Sequence, residues 1–186
     1  MCFELNDYSD RYPIERSRYF QSVGKLLPHR IGQIFRELGF DFWIAKRQSN
    51  DVDLKVFDDK DNLILVAEIL NWSSHSRMSE IRRNWIISNL SRYNCHRLLI
   101  YTIFENEKIL DDFDHSRISL LKIGFQLLPK SFYNFFARKN QVENRKGDSP
   151  ISKQDIKSKI IEYLQSSNIE MHTSTFMNYE MIVTGL

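Results

Sequence analysis

The chain has 186 residues but only two cysteines, Cys2 and Cys95, which lie far apart and share no paired spacing. That argues against a disulfide framework and against a thiolate zinc site, and it suits a reducing, cytoplasmic compartment. Long apolar runs are missing too. None approaches the roughly 20 residues that cross a bilayer, and the N-terminus carries acids instead of an apolar leader, so a protein free of membranes is expected. With only 6 glycines, the chain has no glycine-rich loop to cradle a nucleotide phosphate. Its serines also lack the surroundings of a nucleophile elbow, which disfavours NTPase and serine hydrolase chemistry. A surplus of one charge is absent as well: 26 Lys and Arg face 24 Asp and Glu. Composition therefore does not announce nucleic acid, although a local basic groove can coexist with acids elsewhere. The five histidines, His29, His75, His96, His115 and His172, show no zinc-ligand spacing.

What is present is enough apolar material, 42% of residues, for one full core with appendages. Residues 1–23 read as a polar, irregular N-terminal extension in which Tyr12-Pro13 marks an extended or turning stretch. From Pro28, the spacing of Ile31, Ile34, Phe35 and Leu38 predicts a short amphipathic helix ending at Gly39, with Leu26 and Leu27 extending it backwards. Strands are predicted over Phe40–Ala45, Val52–Phe57 and Leu63–Leu70, the last two forming a hairpin across the turn residues Asp58 to Asn62. Alternation places Val52, Leu54 and Val56 on one face of the second strand and Asp51, Asp53, Lys55 and Phe57 on the other. In the third, Glu68 shares its face with Val66 and Leu70.

A helix from about Arg77 to Tyr93 follows, with Met78, Ile81, Trp85, Ile86 and Leu90 as its core stripe and Arg82, Arg83 and Arg92 on its other face. His96 to Phe104 then reads as a buried strand, parallel to an earlier one because a helix separates them. Next come a helix from Asp114 to Ile123 and a short strand from Phe125 to Leu128. The α/β core thus spans 24–135, and a polar linker over 136–150 leads to a C-terminal helical appendage, 151–186. That appendage opens on the capping-box variant Ser152-Lys153-Gln154-Asp155, with Ile156, Ile160, Ile161 and Leu164 as its stripe. The expected fold is α/β, a mixed sheet with helices on its faces.

Two acids stand inside apolar strand patterns, Asp53 in Val52-Asp53-Leu54 and Glu68 in Val66-Ala67-Glu68-Ile69. A strand as apolar as Leu63–Leu70 is buried on both faces, and a carboxylate there is costly unless it is paired or binds a metal. If the hairpin forms, Asp53 and Glu68 lie side by side and make a site for a hard cation, which needs few protein carboxylates because it keeps water ligands and takes phosphate oxygens.

The run Gly24 to Leu38, the Gly39-Phe40 turn, Val52-Asp53-Leu54 and Val66-Ala67-Glu68-Ile69 together resemble the core of the PD-(D/E)xK nuclease superfamily. The likeness is greatest to archaeal Holliday-junction resolvases and other restriction-endonuclease-like proteins. It covers Gly24 to Phe104. The resemblance implies a restriction-endonuclease-like sheet, a Mg2+ or Mn2+ ion held by Asp53 and Glu68, phosphodiester hydrolysis, DNA as partner, branched or damaged DNA included, and a homodimer. In the family a lysine commonly follows the glutamate by two residues; here that position is Leu70, in Glu68-Ile69-Leu70-Asn71-Trp72. The first helix, too, has Pro28 and His29 where the family often carries a glutamate. Lys55, on the strand face of Asp53, is the candidate to replace the lysine as a catalytic residue.

Arg77, Arg82, Arg83 and Asn71 are the candidate nucleic-acid contacts, with a solvated charged face and a polar loop as their ordinary explanations. Trp43, Trp72 and Trp85 are expected in the core. Three functions stay open: a metal-dependent nuclease, a nuclease-fold DNA-binding module that does not cut, and a protein-interaction domain in which Glu68 is structural and paired with an arginine such as Arg82.

Overall fold

The computed structural model describes residues 13–46, 50–127 and 152–171. The extension up to residue 12, the linker 136–150 and the tail beyond 171 lie outside the described residues. Helix α1 (Pro13–Glu37) leads to strands β1 (Asp41–Ile44), β2 (Leu54–Phe57) and β3 (Leu63–Leu70). Helix α2 (Glu80–Ser91), strand β4 (His96–Thr102), a 3-10 helix (Glu107–Ser116), strand β5 (Ser119–Gly124) and helix α3 (Lys153–Ser166) complete the order.

The strands lie side by side in chain order. β1, β2 and β3 form an antiparallel meander, whereas β4 runs parallel to β3 and β5 parallel to β4. The change of direction falls where α2 enters, since a strand reached through a helical crossover returns parallel. The expected mixed sheet flanked by helices is what the chain forms.

One face of the sheet, through Leu54, Val56, Leu65, Ala67, Ile69, Leu98 and Ile100, packs against α1 and α3. The other, through Val66, Leu70, Leu99 and Tyr101, packs against α2 and the 3-10 helix. β3 is thus covered on both sides, which accounts for its nearly unbroken apolar sequence. Ile156, Ile160, Ile161 and Leu164 of α3 share one apolar cluster with Ile31, Ile34 and Phe35 of α1. Residues 153–166 are therefore part of the core. The capping box forms as read: Asp155 N donates to Ser152 Oγ at 3.0 Å and Ser152 N to Asp155 Oδ2 at 3.1 Å.

Four local expectations are corrected. α1 begins at Pro13, well before Pro28, because proline suits a first helical position, where its missing N–H is not needed. It closes at Gly39, whose φ of 89° is left-handed and lets Phe40 N reach Phe35 O at 3.0 Å. Residues 119–124, expected in a helix, are β5 instead. Leu120 and Leu121 point to opposite cores, as successive residues of a strand do. β2 starts at Leu54, so strict alternation does not reach back to Val52, which sits in the α2-side core and not beside Leu54 and Val56.

The fourth correction concerns α2. Met78, Ile86 and Leu90 are buried, but Ile81 is 83% exposed and Trp85 37% exposed. The helix turns Arg82, Ile86 and Asn89 inwards, a stripe of three- and four-residue steps that contains two polar members. Ser79 caps it, accepting from Arg82 N at 3.2 Å, which explains why it starts at Glu80 and not at Arg77.

Candidate functional site

The site is set by register. Leu54 pairs with Ala67 and Lys55 with Val66, and the same antiparallel count places Asp53 opposite Glu68. Asp53 precedes the first residue of β2 and bends its carboxylate across to β3, where Oδ2 accepts from Ile69 N at 2.9 Å. Its own carbonyl accepts from Ala45 N at 3.0 Å and continues the β1–β2 ladder by one step.

Glu68 is 1% exposed. Its Oε1 accepts from Asn89 Nδ2 at 2.6 Å. Arg92 orients that amide by donating to Asn89 Oδ1, and it also donates to the Asn50 carbonyl at 2.7 Å. Glu68 Oε2 is buried with no hydrogen-bond partner, although Arg82 Nη2 approaches it at 3.7 Å. Burial, followed by the Asp53 charge, pushes the Glu68 carboxyl up to about 8 against the opposing pull of Asn89 and Arg82. Burial also raises Asp53, while the Ile69 amide, Arg82 and the neighbouring Glu68 draw it back down. The net direction for Asp53 is still upward, and near neutrality Glu68 keeps its proton.

Lys55 lies on the same side of the sheet, but its ammonium is engaged by Asp51 Oδ2 at 2.6 Å. It rests against the rings of Trp43 and Tyr93, 5.0 and 5.2 Å from their centroids. Burial favours loss of its proton, yet Asp51 and Tyr93 outweigh that and hold Lys55 above its usual range. It stays a charged ammonium. The cation whose charge acts on both carboxyls is Arg82. Leu70, two residues after Glu68, is buried in the α2-side core.

The other sequence candidates separate. Asn71 is buried, its amide donating to Leu127 O at 2.8 Å and its carbonyl oxygen accepting from Leu127 N at 2.7 Å, so it ties the end of β3 to the segment after β5. Arg77 faces Glu105 at 3.5 Å, and Arg83 pairs with Asp112. Arg82 alone of these reaches the acid pair. Asn89 escaped sequence reasoning, although it lies seven residues after Arg82 and three after Ile86, a spacing that puts all three on one helix face.

The donors suit a small hard cation. Two carboxylates converge at the entry to the hairpin, and the orphaned Glu68 Oε2 is a buried oxygen that a divalent ion would satisfy. Among the described residues no three Asp, Glu, His or Cys side chains cluster, so water and substrate oxygens would complete the shell. The Arg82 contact equally fits the structural alternative. No helix among the described residues is long and apolar enough to cross a membrane. Neither a protein-family model nor a curated protein matches the chain in sequence.

Proposed function

We propose that the chain is a divalent-cation-dependent nuclease acting on DNA, with Asp53 and Glu68 as the residues that hold Mg2+ or Mn2+. The observation that carries this reading is the juxtaposition of the two acids, one of them 1% exposed with an oxygen left without a hydrogen bond. When bound, the cation supplies charge neutralisation at the phosphate and lowers the pKa of a coordinated water. Asp53, fixed by the Ile69 amide, and Glu68, fixed by Asn89, would hold the cation, whose charge would take the place of the Glu68 proton. Arg82 is placed to release Glu68 and take a phosphate oxygen, a charge-assisted contact that strengthens as negative charge builds up. Lys55 lies on the same sheet face with its charge balanced by Asp51, and would act on a phosphate only by leaving that partner.

A second reading, a DNA-binding module that does not cut, is favoured by Leu70 in the lysine position and by the engagement of Lys55 with Asp51. Cleavage assays on branched, single-stranded and duplex DNA with added Mn2+, run beside Glu68→Ala and Lys55→Ala, separate the two. Cutting that survives Glu68→Ala sinks the metal assignment. Salt-sensitive binding without cutting selects the second reading. Neither binding nor cutting leaves Glu68 as the structural partner of Arg82. A readout independent of activity is the melting temperature: Mn2+ is expected to raise it in the wild type and not in Asp53→Asn.

A further inference from the structure

We propose that Trp85 is a stacking platform for an unpaired nucleobase, which assigns the site to single-stranded or unpaired stretches of nucleic acid in preference to continuous duplex. The inference rests on the nuclease reading of the acid pair and names its substrate class. Trp85 and Ile81 are the large apolar side chains that the described residues leave exposed, at 37% and 83%. They stand one turn apart on α2, on the face that an ordinary amphipathic helix would turn away from water.

Arg82 joins this face to the acids. Its guanidinium lies 4.3 Å over the Trp85 ring, and its Nη2 lies 3.7 Å from Glu68 Oε2. Arg82 covers one face of the indole, so a base would take the other face or displace the guanidinium, and it would rest within one arginine side chain of the carboxyl pair.

Charge selects the occupant. Of the four arginines from Arg77 to Arg92, Arg77 faces Glu105 and Arg83 pairs with Asp112, which leaves Arg82 and Arg92, both on the acid-pair side of the helix, as the positive charge that suits a phosphate. Two exposed apolar side chains are too few for a stable protein interface, which needs about 800 Å2 on each partner. A base needs only one ring face, and every base has one.

The test is fluorescence anisotropy of a labelled single-stranded oligonucleotide and of its blunt duplex, in EDTA so that nothing is cut. Trp85→Ala is expected to weaken single-strand binding about tenfold, Trp85→Leu about as much, and Trp85→Phe less than about threefold, with duplex binding nearly unchanged. Circular dichroism checks that each variant is folded; if Trp85→Ala is not, the Leu and Phe pair decides. Unchanged single-strand binding, equal loss on both substrates, or full rescue by leucine overturns the proposal. So does loss of self-association in sedimentation with DNA binding intact, which would make this face a contact with a second copy. Failure of the acid-pair reading looks different: cleavage persists in Glu68→Gln while the stacking effect remains.

Discussion

Replacing Glu68 with glutamine isolates the acid pair's electrostatics from its chemistry. Glutamine keeps the shape and an oxygen for Asn89 but cannot ionise. In the unfolded chain Glu68 titrates near 4.5, and in the fold at about 8. Between those values the unfolded chain has released the proton while the folded one retains it. Stability therefore falls as pH rises: this contribution is complete below 4.5 and is lost on passing through 8. At about 1.4 kcal/mol per pH unit, the span amounts to something on the order of 5 kcal/mol. Urea unfolding in EDTA at half-unit steps from pH 5 to pH 8 measures it. The Gln variant is expected to gain on the wild type steadily across that range. The histidines are present in both proteins, so their titration largely cancels in the difference, whereas Asp53 titrates together with Glu68 and the difference reports the pair. A difference that stays flat, or that turns to favour the wild type at high pH, would refute the assignment of a retained proton to Glu68.

Other consequences are equally direct. Asn71→Ala leaves the Leu127 N–H and carbonyl without their partners and is expected to cost about 1–3 kcal/mol in urea unfolding, with little change in any nucleic-acid binding. Thr102→Val should cost a similar amount, about 1–3 kcal/mol, since the buried Thr102 Oγ1 accepts from Trp72 N at 2.7 Å and donates to Trp72 O at 2.6 Å. Phe113→Ala empties a fully buried ring site under α2 and is expected to cost about 3–5 kcal/mol by thermal or urea melts. Lys55→Met, by breaking the contact with Asp51, should lower stability by about 1 kcal/mol; a change in cleavage with unchanged stability would instead mark Lys55 as part of the chemistry.

Strands β1 to β4 were legible because their signals are local, and β5 was not. Leu63–Leu70 is apolar throughout, the Asp58 to Asn62 turn carries its own hydrogen bonds, and the hairpin register follows from them. Asp53 opposite Glu68 was legible for the same reason. The face of α2 was not, because periodicity ranks Ile81 and Trp85 as core, whereas the buried carboxyl below the helix demands Arg82 and Asn89 there. A polar partner requirement set by another element leaves no mark in a helix's own spacing. The role expected for Asn71 changed similarly: its partner, Leu127, is 56 residues away. Lys55 had an acid four residues earlier, Asp51, and that neighbour was the readable sign of its engagement.

The place of α3 has a consequence for how the chain can be divided. Its apolar stripe completes the α1 side of the sheet, and Lys153 and Lys157 both reach Glu37 at the end of α1. It thus behaves as a covalently tethered second piece. A polypeptide stopped at residue 127 would be left with that sheet face and the apolar side of α1 partly uncovered and is expected to aggregate. Adding residues 152–171 in trans should restore a folded complex, which makes the chain a candidate for a split reporter whose two fragments associate through that single helix.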